Sequence, residues 1–331
     1  MTNAMETIIS AACWPLARVA EIHPEVSPIC EYCMSEPEDD LHFYWTCPRH
    51  DACEAEEVAD SQDLIPIAIE NGQINPSRWY RGIMNSDDMV ISKDMDPPEQ
   101  TVWVLNNNSL SITTEPNTWP SGSYFGDASG GLYTAYPTLR RVGVGLAMYR
   151  EPQRHPDFRL HYPLPGQVQT VPRGETHVVL VVTYMLEPDA VAIQYTDNYP
   201  VYNIYNQGEQ SALASANRDL WVQFFNNIRH KRLRLELKWF PSHLSEGPEE
   251  RAKRKRKTKN PIPIPEWVTE WHMRGNDVAD SLATEAAQSC QLDSEITKPI
   301  ILAVERLAKI QRRLAYLICN VSHRVVHKKN G

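Results

Sequence analysis

No apolar run in this 331-residue chain approaches the roughly 20 residues that a membrane-spanning helix needs, so no membrane partner is expected. The opening residues, MTNAMETIISAACWPLARV, have a short apolar stretch without the basic leader of a secretory signal. An intracellular setting, nucleus and/or cytoplasm, with its thiols kept reduced, follows as the expectation. The chain shows no internal repeat. Positive charge is scarce in one part: residues 1–100 carry 20 Asp/Glu against 5 Lys/Arg, whereas residues 101–331 carry 22 against 28. The net charge of −9 therefore hides a balance of −15 followed by one of +6, and only the second part suits a polyanion.

Composition divides the chain into zones. Residues 1–60 form an acidic leader with five of the seven cysteines. Residues 61–120, with MNSDDMVISKDMDPPEQ and LNNNSLSITTEPNTWPSGS, read as connector and loop. From residue 121 to about 290 strand and helix patterns alternate, as in an α/β domain. Its strand candidates are SYFGDASG, RRVGVGLAMYRE, FRLHYPL, AVAIQYTDN and LRLELKWF. The last alternates cleanly, with Leu233, Leu235, Leu237 and Trp239 on one face. DLWVQFFNNIRHKR has helical spacing, and NDVADSLATEAAQ is rich in helix formers. ETHVVLVVTYMLE stays open: its β-branched residues favour strand, its length and the need for a crossover favour helix. Residues 246–266 hold a basic insert whose Arg251, Lys253, Arg254, Lys255, Arg256 and Lys257 suit nucleic-acid contact or nuclear import. Residues 291–331 read as a basic amphipathic helix.

Acidic residues fall at telling places. Asp127 ends the apolar run of YFGDASGG and Asp197 ends AIQYTDN, while Glu175 and Asp280 lie at the starts of proposed helices. A single such acid is accounted for by a turn. Four carboxylates gathered at one sheet edge would repel one another unless cations held them, and hard oxygen donors suit Mg²⁺.

Residues 121–288 or so resemble the ribonuclease H domain, particularly that of retrotransposons. YFGDASG is similar to its first-strand motif, RRVGVGLAMY to its second strand, GETHVV to the helix with its glutamate and AIQYTDN to its second aspartate strand. KWFPSH followed by GNDVADSLATEAA resembles the closing motif. The resemblance implies a mixed five-stranded sheet with flanking helices. It also implies two Mg²⁺ ions, with Mn²⁺ as a substitute, held by Asp127, Glu175, Asp197 and Asp280, and His243 as the histidine that helps with protons or product departure. Asp277 matches an acidic position outside the ligand set. The implied activity is hydrolysis of the RNA strand of RNA/DNA hybrids; the alternative is a catalytically silent, hybrid-binding relic. The insert between His243 and Asp280 is longer than the family's usual loop.

In the leader, Cys30-x2-Cys33-x8-His42-x4-Cys47 has the ligand types and spacing of a closed, structural Zn²⁺ site. Cys13, His50 and Cys53 are spare ligands. The segment resembles the zinc-binding stretch that follows reverse transcriptase in non-long-terminal-repeat retroelements, whose Cys-Pro after the histidine reappears as Cys47-Pro48. No polymerase motif accompanies it, which points to the C-terminal part of a retroelement or a gene descended from one.

Overall fold

A computed structural model describes residues 2–85, 96–99, 103–107, 113–242 and 264–321. The chain packs as two compact units, one of residues 1–91 with 294–331 and one of residues 92–293.

The second unit is a mixed α/β layer structure. Its strands are β1 (Val104–Asn107), β2 (Gly122–Ser129), β3 (Gly143–Tyr149), β4 (Phe158–Pro163), β5 (Val191–Thr196) and β6 (Arg234–Trp239), in the order β1-β4-β3-β2-β5-β6. Strands β1 to β4 pair antiparallel, while β2-β5 and β5-β6 are parallel. The five strands expected from the sequence are all present, but the sheet has six. Strand β1 lies in the polar stretch read as loop. An edge strand is held by backbone pairing to one neighbour and does not need the apolar alternation that marks the others.

Each sheet face has its own cover. On one side Val144, Leu146 and Met148 of β3 pack with Val178, Val182 and Met185 of the helix Val171–Met185. This is the segment whose pattern left strand and helix open. The helix is buried along most of its length because it also packs against the helix Arg218–Lys231, so an apolar residue suits nearly every face. On the other side lies the helix Glu270–Ser289, which crosses β3 where two glycines let it approach. A Cβ on Gly145 would stand 2.2 Å from the Ala279 carbonyl oxygen, and one on Gly143 2.1 Å from the Ala287 nitrogen. Phe125, Tyr149 and Tyr195 form an aromatic cluster with Trp271 at the start of that helix.

The first unit is built from both ends of the chain. The residues 61–85 read as connector supply the helices Ile65–Asn71 and Pro76–Arg81. Pro66 and Pro76 sit in the first turns, where a missing N–H costs nothing, so they start helices instead of breaking them. The last helix, Ser294–Val321, lays Ile310, Leu314 and Leu317 against Phe43, Tyr44, Trp45 and Trp79. Within this core Arg313 is fully buried; its Nε donates to the Tyr44 carbonyl (2.7 Å) and its Nη1 to the Val58 carbonyl and Ser61 Oγ (3.2 Å each). Among the described residues, no helix is long and apolar enough to cross a membrane.

Candidate active site and metal clusters

Strands β2 and β5 run parallel, with Phe125 opposite Tyr195, so the residues two positions on in each lie side by side, one just past the end of β5 and one within β2, which continues against β3 to Ser129. Those residues are Asp127 and Asp197. Glu175 reaches them from the first turns of its helix, where the Thr170 side chain caps the Arg173 N–H. Gly174 permits this: a Cβ there would meet Ala128 Cβ at 2.7 Å and Val142 Cγ1 at 2.8 Å. As a result, one carboxylate oxygen from each of Asp127, Glu175 and Asp197 lies within 4.8 Å of the others.

Three carboxylates so close, in so little water, cannot all stay charged on their own. Burial, then the charge of Asp197, pushes the Asp127 carboxyl up to about 7 from an ordinary 3.8; a hydrogen bond with Glu175 works the other way, and Asp280 adds a smaller repulsion. Glu175 is raised well above the usual carboxylate range, again by burial first and then by Asp127 and Asp197. Its Oε2 is buried without a hydrogen-bond partner. An orphaned buried oxygen among hard donors is what a divalent oxygen-loving cation would satisfy.

Asp280 stands apart from the close trio. It is exposed on the helix Glu270–Ser289, near enough for its charge to act on Asp127 but outside the 4.8 Å group. Asp277, one turn earlier, is half-buried. His243 and the basic residues Arg251, Lys253, Arg254, Lys255, Arg256 and Lys257 lie outside the described residues. One contributor is absent from the ligand reading of the sequence: Asn276, whose Nδ2 donates to Asp197 Oδ2 at 3.2 Å and whose Oδ1 is buried without a partner. Its position four residues before Asp280, one helical turn, was the available signal. The Trp239 indole N–H also donates to the Asp197 carbonyl, at 2.9 Å.

The second cluster is of opposite chemistry. Ligand atoms of Cys30, Cys33, His42 and Cys47 lie within 4.8 Å of one another. Cys30 and Cys47 sulfurs are 3.8 Å apart, and Cys33 Sγ is 3.4 Å from His42 Nε2. Thiolates about 2.3 Å from a tetrahedral zinc would stand about 3.8 Å apart, so the pocket already has the right edge lengths. His42 and Cys47 bracket a single π-helical turn, His42–Thr46. Ser35 Oγ donates to Cys33 Sγ at 3.2 Å, and this bond with the backbone there draws the thiol down to about 6. Burial pushes Cys47 up to about 11. The spare candidates do not join the cluster. His50 is buried, donates from Nε2 to the Phe43 carbonyl at 2.9 Å and is pushed down to about 3 by burial and by Arg313.

No protein-family model and no curated protein matches the sequence. Solved structures similar to part of the chain include three from foamy viruses. The PFV RNase H domain in solution is 15% identical, with a TM-score of 0.35, over 51% of this chain and 95% of that one. The prototype foamy virus protease–reverse transcriptase is 14% identical, with a TM-score of 0.33, over 56% of this chain and 22% of that one. A foamy viral protease–reverse transcriptase in complex with dsDNA is 16% identical, with a TM-score of 0.32, over 51% of this chain and 96% of that one.

Proposed function

We propose that the unit carrying Asp127, Glu175 and Asp197 is an endonuclease of the ribonuclease H type, hydrolysing the RNA strand of RNA/DNA hybrids. The observation that carries the reading is the trio itself: three acids from β2, the residue after the parallel β5 and a helix, held within 4.8 Å with two of them buried. Asp127, Glu175 and Asp197 would hold the first divalent cation, and Asp280, from its helix, would complete the site for a second. Such a pair, when bound, activates a water and stabilises the leaving oxygen of a phosphodiester. Mg²⁺ is the expected ion, with Mn²⁺ as a substitute. The chain's own part is to present charged oxygens in fixed places, with Asn276 and Trp239 holding the Asp197 segment. His243 is assigned the departing proton, and the basic insert the hybrid's backbone.

The Cys30–Cys33–His42–Cys47 cluster is read as a structural Zn²⁺ site, its four ligands leaving no open position. The pairing of zinc segment and nuclease supports a retroelement origin for the chain, working in the nucleus and/or cytoplasm.

The test is cleavage of a labelled RNA/DNA hybrid with Mg²⁺, beside EDTA and the Asp127→Asn variant, with double-stranded DNA as a comparison substrate. RNA-strand cutting that vanishes in both controls is the expected result. A folded protein that binds the hybrid but never cuts it would replace the nuclease with the silent binder.

A further inference from the structure

We propose that Glu36 is the positioning residue of the thiolate–imidazole cluster, fixing the tautomer and aim of His42 toward the metal. This rests on the reading of that cluster as a zinc site. The His42 ring is almost wholly buried (3% exposed) and has two different neighbours. Its Nε2 faces Cys33 Sγ at 3.4 Å, while its Nδ1 lies 3.1 Å from Glu36 Oε2. An ionised carboxylate can only accept, so Nδ1 carries the proton and donates to Glu36, and Nε2 keeps its lone pair for the cation. Left alone, a neutral histidine side chain favours the Nε2–H tautomer, which here would point an N–H at the Cys33 sulfur.

The backbone shows how Glu36 comes to be there. Ile29 and Pro37 form an antiparallel bridge, and the Cys30 N–H donates to the Glu36 carbonyl at 2.8 Å, so the chain doubles back around the 30–36 loop. That return places Glu36 beside a histidine six residues later. The main chain of His42 is separately fixed by its N–H donating to Asp39 Oδ1 at 2.7 Å, so backbone and ring are set by different acids. The Glu36 side chain is itself 64% exposed and buries little. Its place is accounted for by the imidazole and not by packing.

The decisive measurement is zinc affinity of the full chain, by competition with a chromophoric chelator, for the wild type, Glu36→Gln, Glu36→Ala and His42→Ala. It is paired with ¹H–¹⁵N NMR of the zinc-bound imidazole, in which the shift and solvent exchange of the Nδ1–H report its bond to Glu36. Glu36→Ala is expected to weaken zinc binding about 10- to 100-fold and to open the Nδ1–H to solvent exchange. Glu36→Gln, whose amide oxygen still accepts, should retain much of both. Unchanged affinity and an unchanged Nδ1–H signal in Glu36→Ala would overturn the proposal while leaving the zinc site intact. If the wild type takes up no zinc that His42→Ala removes, the zinc reading falls and the role of Glu36 falls with it.

Discussion

The two clusters solve the same problem, holding like groups together, in opposite ways. The carboxylate trio draws on residues 127, 175 and 197, which meet only once β2, β5 and the Glu175 helix have packed. It is therefore a product of its fold, and burial makes it reluctant to ionise without a cation. The thiolate–imidazole group spans residues 30–47, close enough in sequence to assemble locally. It flanks the turn that feeds Phe43, Tyr44 and Trp45 into the core with the last helix, so it is better placed to cause folding than to follow from it. One site would lose chemistry when its ion leaves, the other would lose structure.

The largest effect should come from emptying the second site. Zinc binding in small domains is worth on the order of 10 kcal/mol of folding free energy. Stripping the metal with a strong chelator, or introducing Cys47→Ser, should expose Trp45 and Trp79 and open the last helix to proteolysis, while residues 121–242 stay protected. A last helix that stays protected without zinc would break the contrast. Next, Asp127→Asn should cut cleavage by more than about 100-fold. Yet it should raise the melting temperature of the metal-free protein, because it removes a charge the fold resists. A fall in that melting temperature would mean that Asp127 is held by contacts other than the trio. Arg313→Ala should cost about 3 kcal/mol, since it leaves the Tyr44 and Val58 carbonyls without their donor. Denaturation followed by the fluorescence of the first unit's tryptophans should record that loss, with hybrid cleavage unaffected.

The smallest effect is one of pH. A carboxyl raised in the folded state contributes stability that is complete below its ordinary value and is lost as pH rises through the folded one. For Asp127 that window runs from 3.8 to about 7, and Glu175 acts in the same direction. Metal-free protein should therefore melt at a lower temperature at pH 8 than at pH 5 in this respect, and added Mg²⁺ should narrow the gap. A gap that Mg²⁺ leaves untouched would detach the trio from cation binding.

Much of this was readable in the residues. Five strands announced themselves through apolar runs or alternation, and the acids at the ends of two of them marked the edge where a site could form. Cysteine and histidine spacing marked the second cluster, because its ligands are neighbours in sequence. What stayed hidden depends on packing that no window of sequence contains. The helix Val171–Met185 stayed open between strand and helix because it is buried on several sides. Strand β1 escaped because its two apolar residues, Val104 and Leu105, run straight into the asparagines read as loop. Asn276 shares a helix face with Asp280 in the sequence, but its bond to Asp197 exists only once that helix crosses the sheet. The apolar face of the last helix was legible, but not its partners, which come from the opposite end of the chain.

That last arrangement bears on how the protein is made. Synthesis delivers residues 1–91 before the sheet unit and residues 294–331 after it, and the unit they share cannot close until Leu317 has been made. The sheet unit between them is complete beforehand and can fold while its neighbour waits. During that interval the half-unit must keep Trp45 and Trp79 from aggregating, and the turn between Cys30 and Cys47, if a metal holds it as proposed, is one local structure it can already form. A released chain truncated after residue 293 should thus hold a folded sheet and an unfinished leader.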